Sequence, residues 1–131
     1  MTRLPHELKR IRLNLARSKD FPSGSSRHGY EFVAPLAPDA HIDVELWRRY
    51  REHCRVRRFW GDEEELGRLL HKPGGPEHGR WVFDYEEASE ADDEAGYRFA
   101  SHAFQLGEYV SVRDEDGDMH TFKVVSVEPA T

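Results

Sequence analysis

A single cysteine, Cys54, stands in the 131-residue chain, so no internal disulfide can form. That usage suits a reducing compartment, and the expected location is the cytoplasm. Apolar runs are short throughout. No stretch of about eighteen apolar residues exists to cross a membrane as a helix. Residues 1–20 hold no apolar stretch of the length that a secretory signal requires. Spacing motifs of catalysis are missing too. There is no H-E-x-x-H or H-x-H pair, no G-x-x-x-x-G-K-[ST] loop, and no triad, paired-carboxylate or dinucleotide pattern.

Apolar residues make up 37% and charged residues 34%, a lean share for a core, but the 11% of aromatic residues argues against disorder. Phe, Tyr and Trp, rather than Leu and Ile, are the expected core. The length fits one domain, 1–131, large enough to bury a core without staples. Net charge is −6, unevenly spread: residues 1–60 carry 13 Lys and Arg against 7 Asp and Glu, and residues 61–131 carry 6 against 18. Attraction between the halves within one fold is the simplest reading, and a surface of two signs the functional one.

Residues 8–17 alternate with period two, placing Ile11, Leu13 and Leu15 on one face and Arg10, Arg12 and Asn14 on the other, the pattern of a half-buried strand. Residues 21–29 read as a loop, and Tyr30–Val33 as a short strand. Residues 43–54 form the one main helix: Asp43 is its N-cap, Ile42 and Trp47 hold staple positions, and Glu45 and Arg49 stand four apart. Arg55–Trp60 is a strand, residues 61–65 a turn, Leu66–His71 a strand, and residues 72–76 a loop. Trp81–Tyr85 is a strand with Trp81, Phe83 and Tyr85 on one face. Residues 86–95 are an acidic loop, and Tyr97–Phe104 a strand.

The C-terminus encodes a hairpin. A three-residue loop, Glu115-Asp116-Gly117, pairs Val110 with Phe122 and Val112 with His120, and puts Gly117 where a left-handed residue is wanted. His120 then shares the inner face of Phe122 and Val124, and is expected to be mostly buried and hydrogen-bonded. Val125 and Val127 fall on the opposite parity, so this strand is buried on both faces or contains a bulge. The expected fold is α+β and β-rich: a small curled antiparallel sheet or partly open β-barrel of six or seven strands.

Candidate chemistry is sparse. Of eight histidines, His71, His102 and His120 would make a three-ligand metal site if their strands lay side by side. No other cofactor is indicated; a divalent metal ion is the one candidate. Arg55, Arg57 and Arg58 with Trp60 form a basic, aromatic segment suited to an interaction surface. Arginine among aromatics also fits phosphate and stacked bases, but Glu63, Glu64 and Glu65 and the overall acidity argue against nucleic acid. Cys54 falls on the apolar face of the helix, the position of a buried, inert thiol. The loop 23–29 lacks the spacing of a phosphate cradle, and residues 114–118 lack that of a calcium loop.

The stretches Cys54-Arg-Val-Arg-Arg-Phe-Trp-Gly-Asp62, Asp92-Asp-Glu-Ala-Gly-Tyr-Arg-Phe99, and Gly107–Val112 with Met119–Val127 resemble a family of small uncharacterised alphaproteobacterial proteins. The resemblance implies a bacterial cytosolic setting and no mechanism. The leading expectation is a non-enzymatic domain that binds a ligand or a protein. A metal-assisted enzyme built on the histidines is the alternative, and a nucleic-acid-binding small barrel the second. Substrate, partner and oligomeric state are not written in the sequence.

Overall fold

The computed structural model describes residues 5–72, 80–85, 94–97, 103–114 and 117–130. Its strands are β1 (Leu8–Leu15), β2 (Ser25–Pro35), β3 (Arg55–Trp60), β4 (Glu63–Lys72), β5 (Arg80–Tyr85), β6 (Glu94–Tyr97), β7 (Tyr109–Arg113) and β8 (Met119–Pro129). Helix α1 (Val44–Tyr50) and a 3-10 turn, Arg51–His53, link β2 to β3. Each strand pairs antiparallel with the next, and β8 pairs back on β1, closing an eight-stranded meander barrel. The β-rich α+β architecture with one helix is the one the sequence indicates, with the ladder carried further to full closure.

Alternation sets the inside. Ile11, Leu13 and Leu15 of β1 face inward with Tyr30, Phe32 and Ala34 of β2, Val56 of β3, Leu69 of β4, Trp81, Phe83 and Tyr85 of β5, Val110 and Val112 of β7, and Phe122 and Val124 of β8, all buried. Rings meet through the centre: Tyr30 and Phe32 both contact Phe83, at 4.9 and 5.3 Å between centroids, and Tyr30 meets Phe122 edge-on at 5.1 Å. Eight strands leave an interior that side chains just fill or that holds one small ligand; here aromatic rings occupy it. The outer face carries Arg12, Glu31, Arg57, Glu64 and Lys123, the reverse of a barrel whose outside meets lipid. No helix among the described residues is long and apolar enough to cross a membrane.

The C-terminal hairpin has the expected register, Val110 against Phe122 and Val112 against His120. The Asp114 N–H donates to the Asp118 carbonyl at 2.9 Å, and Gly117 is left-handed at φ 87°. The anticipated bulge is Val125: Arg12 pairs with Ser126 and Leu13 with Val124, leaving Val125 unopposed and returning Val127 to the inner side, opposite Ile11.

Four expectations need correction. The stretch 25–29 is not loop but the start of β2, because Gly29 lets β2 lie close on β1: a Cβ there would stand 1.9 Å from the Leu13 carbonyl oxygen. Residues 63–65 are ladder rather than turn: Glu65 stands opposite Arg58 and pairs with it, Glu64 stands opposite Phe59 and reaches Arg57, and Glu63 stands opposite Trp60; only Gly61 and Asp62 turn the chain. The predicted helix 43–54 ends at Tyr50 and tightens into the 3-10 turn. Its N-cap holds, with the Asp43 side chain accepting from the Leu46 N–H at 3.1 Å, but Glu45 pairs with Arg48 rather than Arg49. The strand predicted over 97–104 meets β6 (Glu94–Tyr97) only at Tyr97; Phe104 lies in coil and residues 98–102 lie outside the described residues.

Two glycines separate close approach from backbone handedness. Gly29→Ala is expected to destabilise by about 3 kcal/mol, because the clash is with backbone. Gly117→Ala is expected to lose only about 1–2 kcal/mol, the cost of a left-handed L-residue where nothing lies within 4 Å. Urea unfolding of both variants measures the difference.

Candidate functional site

The connectivity gives the barrel two unlike ends. One carries the β1–β2, β3–β4 and β7–β8 turns; the other carries α1, the N-terminal segment before β1 and the segment leading into β7.

At the turn end, three strands bring His28, Trp60 and His120 together. His28 and Trp60 are cross-strand partners whose rings meet edge-on at 4.7 Å, and His120 lies 5.8 Å from Trp60 on the far strand. Phe21 covers His28 from the β1–β2 loop at 4.6 Å. His28 Nδ1 stands 2.7 Å from the Ser25 hydroxyl, which also accepts the Arg27 N–H at 3.1 Å; this lock pins the irregular start of β2, where Leu15 pairs with Ser25 and Asn14 with Gly29. Burial, with Arg27 and Arg58 nearby, holds the His28 pKa below the ordinary 6.5. His120 is half-buried and bonds one carboxylate, Nε2 to Asp114 Oδ2 at 2.9 Å, while Asp114 Oδ1 accepts the Asp118 N–H. This is the anchored histidine of a hairpin end, less deeply covered than expected.

The predicted metal trio is not assembled from its described members. His120 opens β8 at the turn end; His71, late in β4, lies at the helix end against Trp81 and Trp47, 4.5 and 6.1 Å between centroids. His102, like His78, lies outside the described residues. Among the described residues, no group of three His, Cys, Asp or Glu side chains has the geometry to hold a metal ion.

The predicted basic surface divides between two faces, because alternation sends neighbours in β3 apart. Arg57 is on the outside, lying over the Phe59 ring at 5.0 Å beside Arg12 at 4.4 Å, and bonded to Glu64 at 3.2 Å. Arg58 shares the inner parity of Val56 and Trp60, lies 4.7 Å over the Trp60 ring and pairs with Glu65 at 3.8 Å. Arg55 is outward and exposed. Arg57 and Arg58 are thus matched by carboxylates of β4, while Arg55 stands opposite Arg68. Cys54 is fully buried, and burial pushes its thiol up to about 12, which leaves it inert as a nucleophile at neutral pH.

The helix end holds a concavity. Leu36, Ala37, Pro38 and Ala40 after β2, Phe104, Gln105 and Leu106 before β7, Val127 of β8, and His6, Glu7 and Lys9 around β1 line a groove of about 520 Å³. Phe104 is its floor. This ring comes from coil rather than a strand, is held by its N–H donating to the Ala40 carbonyl at 2.8 Å, and plugs the barrel against Phe32. Ala40, at φ 69°, is the one non-glycine residue with positive φ among the described residues, so the groove's lip stores backbone strain. Leu106 is 68% exposed on the rim.

Sequence reading missed this groove, since its walls come from four separated segments. One signal was available: Lys9 shares the parity of Ile11, Leu13 and Leu15, a lysine on the inner face of its strand.

Comparison with protein-family models, with curated proteins and with solved structures finds no match for this chain.

The lowered histidines give a pH dependence with a defined sign. Burial and Arg48 hold His71 below 6.5, as burial and arginines do His28. The unfolded chain therefore takes up protons at these sites before the folded one does. Their contribution to stability is complete above pH 6.5 and falls as pH drops through and below that value. The expected outcome is a melting temperature that declines between pH 7 and 5, with a shallower decline in His28→Gln. Asp39, held low chiefly by the His41 N–H, acts in a separate, more acidic window.

Proposed function

We propose that this protein is a non-enzymatic binding module whose ligand site is the groove at the helix end of the barrel. The observation that carries this reading is the groove itself: about 520 Å³, walled by Leu36, Ala37, Pro38, Leu106 and Val127 and floored by Phe104. Ligand sites are concave, mostly apolar, and of this size. The strained Ala40 at its lip adds support, because such strain collects where a site is shaped. A small molecule suits it better than an extended peptide, since the closed barrel offers no free strand edge to extend.

A cytoplasmic setting fits the lone buried Cys54, and agrees with the resemblance to small alphaproteobacterial proteins. The metal-enzyme alternative loses support from the separation of His71 and His120. The nucleic-acid alternative loses it from the carboxylates that meet Arg57 and Arg58.

The test is titration with N-phenyl-1-naphthylamine, a neutral apolar fluorophore. Saturable enhancement with unchanged near-ultraviolet circular dichroism is expected, weakened about tenfold in Leu106→Asp, because one leucine's apolar contact is removed. Absence of saturable binding, or equal binding by the variant, overturns the proposal.

A further inference from the structure

We infer that the groove takes a small organic anion with an apolar body, its charged group held by Lys9; this rests on the groove being the ligand site. Lys9 is placed by register. It pairs with Ala34 on one side and Pro129 on the other, in the inward row that continues as Ile11, Leu13 and Leu15. Where that row leaves the packed core, the next inward position is a half-buried lysine lining the groove rather than an apolar residue. A lysine there lays its methylene stem along apolar neighbours and presents its ammonium at the edge.

The other charges of the groove leave that ammonium available. Glu7 and His6 are turned to each other, Nδ1 to Oε1 at 3.2 Å. Lys9 makes no ion pair among the described residues, whereas Arg12, Arg27, Arg48, Arg57 and Arg58 all do. Gln105 adds a neutral amide at the rim, able to donate to the same anion. The chain as a whole is acidic, at −6, and its general field favours cations. A cationic position inside an apolar groove therefore runs against that field and selects locally for a carboxylate, sulfonate or phosphate on an apolar body. An amine of the same shape meets repulsion, and an alcohol meets neither.

Three probes of matched length separate these cases: octanoate, octanol and octylamine, each competed against N-phenyl-1-naphthylamine at pH 7 and low salt, with wild-type protein and Lys9→Met. The expected result is octanoate binding about tenfold more tightly than octylamine, the effect of exchanging attraction for repulsion at one partly exposed charge. The preference should collapse in Lys9→Met while octanol affinity stays within about twofold, which also shows that the variant's groove is intact. Added salt should weaken octanoate alone. If all three probes displace the fluorophore equally, or Lys9→Met keeps the preference, the anion assignment is overturned while the groove remains a ligand site. If none displaces a fluorophore that does bind, the anion assignment falls and the fluorophore marks another surface. If the fluorophore itself does not bind, both fall.

Discussion

Closure of β8 on β1 is the constraint on which everything else hangs. A strand hydrogen-bonded on both sides has one inner row and no choice of register, because a slip of one residue would turn Ile11, Leu13 and Leu15 outward. The Val125 bulge makes this fit possible. Without the extra residue, a strand with Phe122 and Val124 inside would carry Val127 outside, and the seam would lose its contact with Ile11 at the end nearest the groove. Closure also removes sheet edges, which would otherwise be open to pairing with other chains.

The interior that results is filled by rings rather than left as a chamber. Phe32, Phe83, Phe104 and Phe122 are all essentially inaccessible to solvent, and Phe104 is delivered by a connecting segment as a stopper. Chemistry is thereby displaced to the two rims. The turn end gathers His28, Trp60 and His120 into a ring-on-ring arrangement in which His28 Nδ1 is bound by Ser25 and His120 Nε2 by Asp114. The helix end keeps an open groove with an inward lysine. The split in charge along the chain meets in the sheet where Arg57 and Arg58 of β3 pair with Glu64 and Glu65 of β4; Arg12 of β1 pairs with Glu31 of β2, and the guanidinium groups of Arg12 and Arg57 cover Phe59 on the outer face.

Much of this was legible because alternation and turn chemistry are local. The hairpin register, the Asp43 cap, the inner faces of β1 and β5 and the burial of Cys54 follow from neighbours a few residues apart. The start of β2 was not legible, since Ser25–Gly29 has the composition of a loop and only the close approach of Leu13 makes strand of it. Residues 63–65 were misleading for a similar reason: three glutamates make a poor strand until β3 stands opposite, with Arg57 and Arg58 to meet Glu64 and Glu65. The histidines posed a topological question. His71 and His120 are separated by which end of its strand each occupies, and spacing in sequence carries no such information. Lys9 alone announced the groove, by parity, while Leu36, Phe104 and Val127 meet it only through closure.

The most direct measurement is a nuclear Overhauser map of the β1–β8 seam. Closure with a bulge predicts cross-strand contacts of Ile11 with Val127 and of Leu13 with Val124, with no β1 residue directly opposite Val125. Contacts of Leu13 with Val125, which would mean an unbulged ladder, or no contacts between residues 9–15 and 122–129, which would mean an open sheet, would contradict it.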